Sequence, residues 1–77
     1  MREIYTDFND IAADSKLPLT CEGSKASIAA LNPPPHAGEE VWLSDGELRA
    51  RAHLSLNADG SWEARSEWQF LPAKDQA

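Results

Sequence analysis

The chain has 77 residues, 13 of them Asp or Glu and 7 Lys or Arg, for a net charge of −6. That length holds one domain, 1–77, with a small core, and the excess of acid disfavours general binding to phosphate backbones. A single cysteine, Cys21, excludes an internal disulfide framework, and "MREIYTDFND" offers no apolar run for a signal peptide or a membrane span, so a cytoplasmic location is expected.

In chain order, "REIYTDF" alternates, with Ile4, Thr6 and Phe8 on one side, and reads as an edge strand. "NDIAADSK" is rich in turn formers and reads as a loop. "LPLTC" places Leu17, Leu19 and Cys21 on one face of a strand that Pro18 keeps short. Ser24 is the expected N-cap of a brief helix, "KASIAAL", ending near Asn32. The run "NPPPHAGEE" cannot continue that helix and reads as a rigid connector, since it lacks the P-x-x-P frame of a polyproline ligand.

The second half carries the strongest pattern. In "VWLSDGEL", Asp45-Gly46 suggests a two-residue hairpin turn that sets Leu43 opposite Leu48 and Val41 opposite Ala50. In "NADG" a two-residue turn would set Leu56 opposite Glu63 and mix the faces. A turn over Asn57–Gly60, with Gly60 left-handed, instead pairs Leu56 with Trp62 and Leu54 with Ala64. Continued, this register pairs Ala50 with Trp68 and Leu48 with Phe70. The expected core is Ile4, Phe8, Leu17, Leu19, Ile28, Leu31, Val41, Leu43, Leu48, Leu54, Leu56, Trp62, Trp68 and Phe70, and the tail from 72 to 77 is expected to fray.

The same register builds a polar outer face. His53 falls opposite Arg65, Ser55 opposite Glu63, Arg51 opposite Glu67 and Arg49 opposite Gln69, with Trp42 opposite Arg49. "GEEVWLSDGELRARAHL" resembles the turn–strand rhythm of SH3-like barrels. The resemblance implies a curved antiparallel sheet of about five strands with one short helix, an α+β fold closing into a partial barrel. It does not carry function.

Chemistry is sparse. Cys21, His36 and His53 stand too far apart in sequence for paired zinc ligands, and "DFND" fails as a calcium loop because Ala12 and Pro18 fall where glycine and glutamate are needed. Cys21 with a histidine, the pair Glu39-Glu40, and Asp7 with Asp10 could in principle do nucleophilic or acid–base work, but nothing in the sequence builds a pocket around them. The expectation is a non-enzyme with no cofactor and no metal.

The candidate binding residues are Trp42, Arg49, Arg51 and Arg65, because tryptophan and arginine dominate interface hot spots. They point to a small protein-interaction or regulatory module, a monomer or weak homodimer whose partner is another protein. One alternative is nucleic-acid binding through the same patch. Another is an acidic phosphate-mimicking inhibitor that uses Glu39, Glu40, Asp45 and Glu47.

Overall fold

The computed structural model describes residues 1–73. Its elements, in order, are β1 (Glu3–Tyr5), a 3-10 turn (Phe8–Asp10), β2 (Lys16–Pro18), α1 (Glu22–Ala29), β3 (Glu40–Ser44), β4 (Leu48–Leu56), β5 (Trp62–Arg65) and β6 (Leu71–Pro72). The strands form one six-stranded sheet in the order β1-β3-β4-β5-β2, with β6 also pairing β4. The α+β class holds. The pairing is an open path rather than the closed circuit of an SH3-like barrel, and β1 runs parallel to β3.

Alternation decides the faces. Along β4, Ala50, Ala52 and Leu54 are buried while Arg51 and His53 are exposed, as a period of two requires. Small residues meet large ones across the ladders: Leu43 lies opposite Ala50, Val41 opposite Ala52, and Ala64 between Leu54 and Leu17. The room the alanines leave is filled from above by Phe8, Ile11, Ile28, Leu31, Trp62 and Trp68, which pack on the buried cluster. Three residues expected in the core are instead exposed, Leu48 at 41%, Leu56 at 50% and Phe70 at 41%. They lie at the ends of β4 and in a segment that has left the sheet.

The two turns behave differently. The Asn57–Gly60 turn forms as expected: Gly60 has φ +88°, its N–H donates to the Asn57 carbonyl at 3.0 Å, and Leu56 pairs with Trp62. The Asp45-Gly46 turn does not. Ser44 pairs with Arg49 and the Asp45 N–H donates to the Leu48 carbonyl at 3.2 Å, so three residues, Asp45–Glu47, join the strands, and the β3–β4 register is two residues from the expected one. Asp45 lacks the positive φ that a type I′ turn demands. Its carboxylate instead accepts the N–H groups of Glu47 and Leu48, each at 2.9 Å, and so stabilises the shifted turn. A shift of two keeps every side chain on its face, so the buried set survives the error.

The helix is displaced too. It starts at Glu22, with Cys21 as the cap whose Sγ accepts the Ser24 N–H at 3.4 Å, and it ends at Ala29. Ser24, the expected cap, is buried in the first turn and donates its hydroxyl to the Tyr5 carbonyl at 2.7 Å. Ser27 Oγ accepts the Tyr5 N–H at 3.1 Å. Together they occupy the outward backbone groups of Tyr5 on the edge strand β1. At the other edge, the Lys16 carbonyl accepts the Ala12 N–H at 2.8 Å and Pro18 has no N–H to offer. The edges of β1 and β2 are thus blunted against strand addition.

After Arg65 the chain leaves the ladder. Ser66 Oγ donates to the Arg51 carbonyl at 2.6 Å and accepts the Trp68 N–H at 2.9 Å, while Trp68 takes φ +56°. Trp68 and Phe70 then join Phe8 in an aromatic group, and the Trp68 indole N–H donates to the Ser15 carbonyl at 2.8 Å. The expected pairings of Ala50 with Trp68 and Leu48 with Phe70 are therefore not made; Leu48 pairs with Pro72 and Arg49 with Leu71. The Ala73 N–H donates to the Glu47 carbonyl at 2.9 Å, which ties residues 71–73 to the hairpin. The expected fraying falls for residues 74–77 outside the described ones.

Candidate binding groove on the outer face of the sheet

On the outer face, β3, β4 and β5 form two rungs. Glu40, His53 and Arg65 make one; Trp42 and Arg51 make the next. The second rung has no third member, because β5 ends at Arg65 and the chain swings to the inner face before returning as β6. The missing rung is the physical origin of a groove of about 580 Å³, lined by Trp42, Arg51, His53, Arg65, Glu40, Glu67, Ser66, Gln69 and Leu71.

Three of the four candidate residues, Trp42, Arg51 and Arg65, thus border one concavity. Arg49 stands just outside it. Its guanidinium lies 4.3 Å from the centroid of the Trp42 ring, a cation–π stack, and its Nε is buried with no hydrogen-bond partner. The expected cross-strand pair of Trp42 and Arg49 is a diagonal one, since Arg51 is directly opposite Trp42. The stack makes Trp42 a fixed, half-buried wall.

The ion pairs leave the groove's arginines free. Among the described residues, salt bridges join Arg2 to Glu39 at 2.8 Å, Lys16 to Asp14 at 3.9 Å, His36 to Glu39 at 3.3 Å and His53 to Glu40 at 4.0 Å. None reaches Arg51 or Arg65 within 4.0 Å, and the expected pairing of Arg51 with Glu67 is not formed.

The remaining candidates are dispersed. Glu39 and Glu40 point apart: Glu39 takes two guanidinium bonds from Arg2, which also donates to the Pro33 carbonyl, while Glu40 faces His53. The Arg2 guanidinium holds the Glu39 carboxyl below the usual carboxylate range, and the turn amides do the same for Asp45. Two of the four acids of the phosphate-mimic alternative are therefore committed to the fold. Asp7 accepts the Asn9 N–H at the 3-10 turn, and Cys21 lies at the helix cap, half-buried. Among the described residues no three His, Cys, Asp or Glu side chains gather to hold a metal ion. No helix among them is long and apolar enough to cross a membrane.

Alternation alone assigned Trp42, Arg51, His53 and Arg65 to one face. Glu67 and Gln69 were expected on this face, though in pairings with Arg51 and Arg49 that are not made, whereas the places of Ser66 and Leu71 depend on the departure of the chain at Ser66. Compared with protein-family models, with curated proteins and with solved structures, the chain matches none.

Proposed function

We propose that this domain is a non-catalytic protein-interaction module that engages its partner through the outer-face groove. The observation that carries the reading is the missing rung between β5 and β6, which leaves the wall of Trp42 and the guanidinium of Arg51, without an ion pair among the described residues, on the same concavity. Tryptophan loses little freedom when an interface forms around it, and Trp42 is already held by Arg49. Arg51 and Arg65 add directional donors at the rim.

Nucleic-acid binding is the weaker reading. Binding along a phosphate backbone draws on a run of cations, and the groove of this chain of net charge −6 supplies only Arg51 and Arg65. The phosphate-mimic reading loses Glu39 and Asp45 to internal contacts.

The test is affinity capture at low and high salt, with the wild-type chain beside a Trp42→Ala/Arg51→Ala variant. A protein retained by the wild type at high salt and lost by the variant supports the reading. Equal capture by both baits, or capture that is nucleic acid and vanishes at high salt, overturns it.

A further inference from the structure

We infer that the groove takes an acidic segment of the partner, whose Asp or Glu carboxylates pair with Arg51 and Arg65. This rests on the reading of the groove as a protein-binding site. The first support is charge. The chain has 7 basic residues against 13 acidic ones, so every arginine has acids to choose from. Arg2 is engaged by Glu39 and Arg49 stacks on Trp42, yet Arg51 and Arg65, both exposed, have no carboxylate within 4.0 Å among the described residues.

The two acids that line the groove do not neutralise them. Glu40 faces His53, which stands between it and Arg65 on the same rung, so Glu40 and Arg65 are two strand spacings apart, about 4.8 Å each. Glu67 lies in the segment that has left the ladder and makes no ion pair with Arg51. Guanidinium groups present flat paired donors that match a carboxylate, and they keep this charge at any ordinary pH.

The second support is the sheet itself. Strand addition is obstructed at the two ends of the sheet, where Ser24 and Ser27 occupy the edge of β1, while Pro18 and the Ala12–Lys16 bond blunt the edge of β2. The outer face instead offers recognition through side chains. The donors free there are guanidinium groups, and their complement is an acidic peptide.

The test uses three fluorescein-labelled peptides of one sequence with Glu, Gln or Lys at the variable positions, and a single-stranded oligouridylate of matched negative charge. Binding is read by anisotropy, and its location by amide shifts of Trp42, Arg51 and Arg65 in the intact chain. The Glu peptide is expected to bind about tenfold more tightly than the Gln peptide, and Arg51→Gln or Arg65→Gln to cost about tenfold each. Arg51→Lys, which keeps the charge and loses the fork, should recover only part of that loss.

If the Gln or Lys peptide binds as well as the Glu peptide and shifts the same amides, the acidic inference fails and the protein-binding groove stands. If no peptide shifts those amides, both fail. Tighter binding of the oligouridylate than of the Glu peptide also overturns both, in favour of nucleic acid.

Discussion

Thr6 sits fully buried at the end of β1, and its side-chain oxygen has no hydrogen-bond partner. Its backbone N–H is satisfied by the Ser44 carbonyl at 2.9 Å, so only the hydroxyl is left over. A buried donor and acceptor without a partner costs about 1–3 kcal/mol, and valine has nearly the same shape without the polar group. Thr6→Val is therefore expected to stabilise the protein by about 1 kcal/mol, read as a higher urea midpoint at an unchanged slope. A lower midpoint would mean that the hydroxyl is satisfied in solution. The groove is also decided by single residues: Ser66 takes the Arg51 carbonyl where the chain leaves the sheet, and Trp68, at φ +56°, bends the segment that follows. Nothing in "SEWQF" marks that turn, because a tryptophan in a β-like alternation reads as a strand residue.

At the scale of elements, α1 and β1 lock each other. Ser24 and Ser27 reach the backbone of Tyr5, and the Tyr5 ring lies against Gly23, where an added Cβ would come within 2.3 Å of the ring. Gly23→Ala should thus displace the ring and cost about 1–2 kcal/mol, in spite of the better helix propensity of alanine. With Tyr5→Ala as background the clash is gone, and the same change should be neutral or stabilising by up to about 1 kcal/mol. Chemical denaturation of the four variants of this cycle measures the coupling. Additive effects would show that the helix does not rest on the ring. The helix boundary was misread for a related reason: Ser24 is a good cap by type, but β1 offers it the Tyr5 carbonyl, and Cys21 caps in its place.

At the scale of the whole molecule, three carboxylates hold the loops that frame the sheet. Glu39 ties Arg2 to the connector before β3; Asp45 closes the β3–β4 loop; Asp59 accepts the Ser61 N–H at 2.9 Å and its hydroxyl at 2.6 Å in the β4–β5 turn. In each case these hydrogen bonds hold the folded pKa below its ordinary value. A depressed carboxylate contributes stability that is fully present above the unfolded pKa, about 3.9 for Asp and 4.3 for Glu, and is lost as pH falls through the folded one. Stability should therefore be level near neutrality and decline once the pH drops below about 4. An Asp45→Asn/Asp59→Asn variant should show a shallower decline in urea midpoints measured along an acid series. An equally steep decline would place the acid sensitivity elsewhere.

By itself the sequence determined the faces. A period of two fixes which side of β3, β4 and β5 each residue takes, so the buried Val41, Leu43, Leu54 and Ala64, the outward Trp42, Arg51, His53 and Arg65, and the Asn57–Gly60 turn were all legible from residue types and spacing. What only the tertiary structure decided is where ladders stop. The parallel β1–β3 pairing and the exit at Ser66 depend on groups distant in sequence, such as the Ser44 carbonyl that takes the Thr6 N–H and the Ser15 carbonyl that takes the Trp68 indole. Alternation repeats along a strand and gives no sign of its end, so the four arginine and tryptophan positions could be read from the sequence while the groove between three of them could not.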